Sequence, residues 1–350
     1  MTKIVDTSNL GSKNDKIFFG DYSGFQRYDN PAFPQATRLE EAMRGAYWNP
    51  AEISMRNDAV KFYEMPESVQ QVMCSIWFYQ TLMDSAQNRG IEETISQFVT
   101  NPEWESVFKT WAYFEMIHSI SYSHIIRGIF VNSSEVFENN FSNQDIINRV
   151  QGEIDAYSHL GEINFNEVNE NNIKKLLELI LTIYALEGIK FYASFLVTYL
   201  IHDKFAAIPG AARIIKLINF DEDWHTKASV QLLNNLKQDP VFQPYIDSKW
   251  FQETAIVAFS QVLKDEQSFA NYLVEQGGMD LPMSRDGVFK FLEYYTSKRL
   301  EDIGVTPLYQ QEITPLVEWF EMYKDLNKEN IAMQESDMAV YSIGVMQDDL

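Results

Sequence analysis

The tetrapeptide pattern Glu-x-x-His occurs twice in this chain, as Glu115-Met-Ile-His118 and as Glu222-Asp-Trp-His225, and no other feature limits the possible folds so tightly. The chain has five histidines, and two of them carry a glutamate three residues earlier. Three residues is just under one helical turn, so each pair sets both side chains on one helix face. The first pair lies in an apolar, aromatic surround, Trp111-Ala-Tyr-Phe-Glu-Met-Ile-His-Ser-Ile-Ser-Tyr122. Each pair also has a lone acid upstream in an apolar segment. Asp84 precedes Glu115 by 31 residues, and Glu187 precedes Glu222 by 35 residues. The same statement is therefore made twice: one carboxylate, a helix-length gap, then Glu-x-x-His.

Charge explains why such a set belongs around metal. Four carboxylates converging in a core repel one another, and most would have to protonate. Two divalent cations cancel four negative charges, and two neutral imidazoles add none. A single Glu-x-x-His is commonly an ordinary helix-surface pair. Two copies with matched upstream acids follow the known pattern of ferritin-like di-iron or di-manganese carboxylate bundles. The expected fold is all-α, a ferritin-like helical bundle with additional flanking helices.

With 350 residues the chain can bury a large core, and its formal net charge of -22 gives it no surface suited to neutralising phosphates, so nucleic acid is not an expected partner. The single cysteine, Cys74, sits in Val72-Met-Cys-Ser-Ile-Trp77 and reads as a buried, inert thiol in a reducing cytoplasm. The opening residues lack the apolar segment of a signal peptide. The stretch from Leu176 to Ile201 is long and apolar, but Glu178, Glu187 and Lys190 interrupt it. It reads as a core helix, and no membrane association is expected.

Residues 1–30 are polar, contain Gly11, Gly20 and Gly24, and read as an irregular arm. Residues 31–326 read as the helical metal domain and 327–350 as a flexible tail. An amphipathic stretch spans Leu39 to Tyr47. Long helices are predicted from Pro66 to about Asn88, with Gly90 as the stop, and from the Asn101-Pro102 cap to about Ile129. Residues 131–145 read as polar turns and Asp145 to Leu160 as amphipathic. A third core helix is predicted from about Ile173 to Lys204. A fourth runs from Ala211 to Lys237, and further helices from Tyr245 to Gln276 and from Arg285 to Ile303. No stretch alternates with period two, so no sheet is predicted.

With these residues in view, the chain resembles the small, radical-generating subunit of class I ribonucleotide reductases. The resemblance covers about residues 18–350. It is strongest at Tyr79-Gln-Thr-Leu-Met-Asp-Ser85, from Glu115 to Arg127, from Ala185 to Phe195 and from Ile214 to His225. It implies that Asp84, Glu115, His118, Glu187, Glu222 and His225 hold two metal ions. These are expected to be iron, since the spellings around Tyr79 and Tyr122 look closer to the di-iron branch, with manganese compatible with the same donors. It further implies that Tyr122, four residues after His118 on one helix face, becomes a stored phenoxyl radical once the reduced metals meet oxygen. Phe191, Phe195 and Ile218 match the family's apolar pocket around that tyrosine. Phe191 and Phe195, four and eight residues after Glu187, are expected on one helical stripe with it.

The resemblance also implies a route for the radical through His118, Asp221 and Trp48, ending at Tyr341 in the tail. There the docked large subunit uses the radical to reduce ribonucleotides. The last residues, Val345-Met-Gln-Asp-Asp-Leu350, read as a docking peptide, and a homodimer in the cytoplasm, of a cell or of a virus's host, is expected. Two departures stand out: Phe220 replaces a residue that is basic in many members, and the loop at 158–172 is short. Another ferritin-like di-metal oxidase or hydroxylase is the competing reading. Such enzymes require no tyrosine at the place of Tyr122 and no tail tyrosine like Tyr341. An iron-storage subunit is disfavoured by the chain's length and tail.

Overall fold

The computed structural model describes residues 5–10, 15–21, 23–26, 28–140, 143–160 and 167–326. Among them there is no β-strand, and one isolated antiparallel bridge joins Phe18 to Val99. In chain order the helices are α1 (Pro34–Gly45), α2 (Arg56–Lys61), α3 (Glu67–Gly90), α4 (Pro102–Ile129), α5 (Ser133–Asn140), α6 (Gln144–Leu160), α7 (Glu170–Ile189), α8 (Tyr192–Phe205), α9 (Pro209–Lys237), α10 (Gln243–Ile246), α11 (Lys249–Gly277), α12 (Arg285–Asp302) and α13 (Pro315–Lys324).

Four long helices, α3, α4, α7 and α9, form the centre. Helix α3 packs on α4, α4 on α9 and α9 on α7. Helix α11 covers α3, α7 and α8, while α1 lies over α4 and α9. Local chemistry sets the ends. Asn101 accepts the Trp104 N–H at 2.9 Å and Pro102 fills the first position of α4. Asn169 caps α7 through the Asn172 N–H at 2.9 Å. The start of α9 has no cap of its own, because Ile208 sits in the left-handed region at φ 53°. Asp58 of α2 supplies it instead, accepting the N–H groups of Gly210 at 2.9 Å and Ala211 at 2.8 Å. The approach requires Gly210: a Cβ there would stand 2.6 Å from the Ser54 carbonyl oxygen and run into the Met55 methyl.

Three features differ from the sequence reading. Gly90 ends α3, as read, but not through a left-handed cap: its backbone stays right-handed at φ -57°, and a single π-helical turn, Ile91–Ile95, follows. The expected third core helix is two helices, because Phe191 at φ 71° breaks it between Ile189 and Tyr192. Neither Phe191 nor Phe195 is therefore on one helical stripe with Glu187. The break is held by Glu266 of α11, a fully buried carboxylate that accepts the Ala193 N–H at 3.3 Å and the Tyr79 hydroxyl at 3.2 Å, with Lys190 offsetting its charge. A left-handed non-glycine residue costs on the order of 1–3 kcal/mol, and these contacts help to offset that cost. Finally, α5 and α13 occupy stretches read as turns or left unassigned. Thr314 and Pro315 start α13, and its Val317 and Phe320 are buried.

The run from Glu170 to Phe205 is long and apolar enough to cross a membrane, yet 94% of its most apolar part is buried inside the protein. It is a core element here, as its interrupting charges predict. Near the N-terminus, Ile17 and Phe18 are buried, and the Thr100 N–H bonds the Ile17 carbonyl at 2.8 Å. Cys74 is partly buried, and burial pushes its thiol up to about 12, so it stays protonated.

Candidate metal centre

Each central helix delivers its acids to one point. Asp84 comes from α3, Glu115 and His118 from α4, Glu187 from α7, and Glu222 and His225 from α9, and all six are buried. Their donor atoms fall into two groups sharing Glu115: Asp84, Glu115 and His118 in one, and Glu115, Glu187, Glu222 and His225 in the other. Within each group the donor atoms lie within 4.8 Å of one another.

The donor set fits cations better than it fits hydrogen bonding. His225 Nδ1 has carboxylate oxygens of Glu187, Glu222 and Glu115 at 3.0, 3.0 and 3.1 Å. A ring nitrogen donates one proton at most, so it cannot satisfy three acceptors. His118 Nδ1 likewise faces Glu222 Oε1 at 3.3 Å and Glu115 Oε2 at 3.5 Å without a well-formed hydrogen bond. Both oxygens of Asp84 also lack a partner. Buried polar atoms left like this cost about 1–3 kcal/mol each, more when charged. A shared pair of divalent ions satisfies them together.

Without metal the site holds protons. Burial pushes Asp84 well above its ordinary value, and the charge of Glu115 adds to the effect. Glu187 is raised by burial and then by Glu115. Glu222 goes the other way: burial opposes ionisation, but His225 and His118 outweigh it and hold the carboxylate ionised. Burial works against a charge on either histidine, yet the surrounding carboxylates raise both well above 6.5.

Around this set the other predicted residues fall into place unevenly. Asp221 Oδ2 lies 3.0 Å from His118 Nε2 and accepts the Trp48 indole N–H at 2.8 Å. Tyr122 is fully buried, and its hydroxyl is held protonated by burial and by the facing Asp84 carboxylate. Phe191, Phe195 and Ile218 are fully buried in the same core, with the Phe191 and Phe195 rings 6.0 Å apart. Phe220 stacks edge-on against Trp224 at 6.1 Å. Tyr341 and the docking peptide lie outside the described residues.

Two neighbours were not singled out from sequence. Gln87 donates to Glu187 Oε1 at 3.3 Å, and Trp111 donates to Glu115 Oε1 at 3.2 Å while stacking on His225 at 4.7 Å. Each sits about one turn from a ligand candidate on its own helix, Gln87 after Asp84 and Trp111 before Glu115, which was the available signal.

Four central helices converging four acids and two imidazoles on one dry point define a ferritin-like di-metal carboxylate protein. The sequence then narrows the class. Residues 28–315 match the ribonucleotide reductase small chain family, and the chain belongs to it: it is a small subunit of that oxidoreductase, working with a large subunit. It is 30% identical over 357 residues to the ribonucleoside-diphosphate reductase subunit beta of Buchnera aphidicola, covering 96% of this chain and 93% of that one. The corresponding protein of enterobacteria phage T4 is 26% identical, with 100% and 97% covered. Among solved structures, the ribonucleotide reductase R2 subunit of Clostridium botulinum superposes with a TM-score of 0.82 at 20% identity, covering 93% of this chain and 98% of that one. The dimanganese(II)-NrdF of Streptococcus sanguinis gives 0.67 at 19% identity, with 87% and 99% covered.

Proposed function

We propose that this subunit generates and stores a tyrosyl radical on Tyr122 and exports it to the large subunit, where ribonucleotides are reduced to deoxyribonucleotides. Asp84, Glu115, His118, Glu187, Glu222 and His225 hold two metal ions, iron in this reading. Bound there and reduced, a metal pair would give electrons to oxygen and so provide an oxidant for a phenol, with an external one-electron donor completing the reduction of oxygen. Tyr122 would give up an electron to it together with its hydroxyl proton, with Asp84, whose charge acts on the phenol, as the candidate acceptor of the proton. Burial then protects the radical from solvent and reductants, and Phe191, Phe195 and Ile218 contribute the apolar wall.

The observation that carries this reading is the single oxygen of Asp221 shared by His118 and Trp48. It links a ligand candidate to an indole whose ring lies 6.5 Å from the imidazole. Short hops of this kind suit electron transfer out of the core, with Tyr341 as the last station in the tail.

The chain is organised as an arm at 1–30, a metal domain at 31–326 and a tail at 327–350 that docks on the large subunit. It works in the cytoplasm, without nucleic acid or membrane. A homodimer is supported by the exposed stripe of Tyr113, Met116 and Ile120 on α4, extended by Tyr47, whose ring stacks on Tyr113 at 6.2 Å. Large apolar groups grouped on one helix face suit a second copy of the chain. The test is to add ferrous iron and then oxygen to metal-free protein and record the electron resonance spectrum. A phenoxyl signal in the wild type that is absent from Tyr122→Phe is expected. The same signal in Tyr122→Phe would overturn the assignment.

A further inference from the structure

Away from the ligand set, three charged side chains tie the last described helix to the metal-bearing helices. Lys324, at the end of α13, places its ammonium 3.0 Å from Asp223 Oδ2. Asp223 Oδ1 also lies 3.4 Å from an Arg299 nitrogen, and the Arg299 and Lys324 side chains are only 10% and 14% exposed. Arg299 of α12 reaches further. It donates to the Tyr192 hydroxyl at 2.9 Å and to the Gly188 carbonyl at 3.4 Å, while its own carbonyl accepts the Tyr184 hydroxyl at 2.9 Å. The approach at Gly188 is close: a Cβ there would lie 3.0 Å from Arg299 Cγ, so the arginine side chain would have to shift slightly.

The positions of these contacts matter. Gly188 directly follows Glu187, and Asp223 directly follows Glu222. One guanidinium thus grips the backbone beside a ligand candidate on α7 and the side chain beside another on α9. The chain continues from Lys324 directly into the tail segment, so the same cluster reaches the root of that tail.

We infer that Arg299, Asp223 and Lys324 form a positioning cluster that sets Glu187 and Glu222 in register for metal and couples that register to α13. The inference rests on the metal-site reading proposed above. The ion pairs, partly buried since the Asp223 side chain is 30% exposed, join parts of one structure, so the coupling is reciprocal. Whatever tightens the Glu187 and Glu222 pair steadies α13, and whatever loosens α13 weakens the metal site. Arg299 and Lys324 act only through their neighbours.

The test uses the full chain, metal-free, with manganous ion as the probe. Titration followed by electron resonance reads the two binding steps and the spin coupling of the loaded pair, and hydrogen exchange reads α13. In the wild type, two ions bind, the pair signal appears, and amides of α13 exchange more slowly once metal is added. In Lys324→Met, which keeps the aliphatic stem, one binding step weakens by about fivefold or more and the slowing in α13 disappears. Lys324→Arg restores both. Arg299→Met alters the spin-coupled signal, and Arg299→Lys restores it in part. Circular dichroism establishes that each variant is folded before titration. Wild-type protein that takes up no manganese overturns the site reading and this inference with it. Wild-type protein that loads two ions beside a folded Lys324→Met chain with the same affinities and the same slowing in α13 overturns this inference alone.

Discussion

Trp48 donates its indole N–H to the same Asp221 oxygen that lies against His118, so the two rings are joined through one buried atom. Both rings are almost wholly removed from solvent, and no polar group on the protein surface is needed to complete the link. Asp221→Asn keeps the shape but removes the charge that orients the imidazole. Loss of such an outer partner costs about 10–100-fold in metal affinity or activity. A drop of that size is expected in the variant's metal titration or in its turnover with the large subunit, and wild-type behaviour in both contradicts the link.

Trp48→Phe separates radical formation from radical export. The variant leaves His118 and Asp221 in contact, so metal uptake and the Tyr122 signal are expected to survive. Turnover with the large subunit is expected to be lost. Removing residues 341–350 should have the same split outcome, because no ligand candidate lies in that segment. Full turnover in either protein removes that residue or segment from the route.

The metal-free protein should lose stability as pH rises. Asp84 and Glu187 are raised above their ordinary values of 3.8 and 4.5, and His118 and His225 are raised above 6.5, so the folded chain binds more protons than the unfolded chain across these ranges. Stability from such groups is complete below the unfolded values and falls as pH climbs through the folded ones. Ionised Glu222 has the opposite sign, but its range lies on the acid side of the others. Thermal melts from pH 5 upward should therefore show a falling midpoint for metal-free protein and a flatter profile once metal replaces the protons. A midpoint that rises over this range for the metal-free chain contradicts the proton-holding site.

Asp58→Ala tests how the fold positions α9. It removes the carboxylate that accepts two N–H groups at the start of that helix, both in a buried setting. A loss of about 1–3 kcal/mol in chemical unfolding is expected. No change would mean that water or local backbone substitutes for the cap.

Much of the site could be read before the fold was known, for a physical reason. Metal donors on helices must recur at helical spacing, so Glu115 with His118 and Glu222 with His225 announce themselves. The upstream acids Asp84 and Glu187 stand out because an unpaired carboxylate in an apolar segment is costly. The break at Phe191 had no such mark. No proline stands there, the nearby Gly188 lies within α7 rather than at the left-handed residue, and the break depends on Glu266, which approaches from a separate helix. The cluster of Arg299, Asp223 and Lys324 was equally hidden, since its members come from three helices with no shared spacing. Helix α13 was missed although Thr314-Pro315 is a recognisable start, because its buried face consists of little more than Val317 and Phe320.

Glu222→Ala bears on the donor set itself. It removes the carboxylate that faces both His118 and His225, and weakened uptake of metal is expected in a folded chain. Unchanged loading of two ions would remove Glu222 from the set.

The measurement that bears most directly on the whole account is the metal content of the wild-type chain after anaerobic titration with ferrous iron. Two ions per chain, with proton release on binding, is the predicted result. A chain that remains folded and takes up no metal would contradict it.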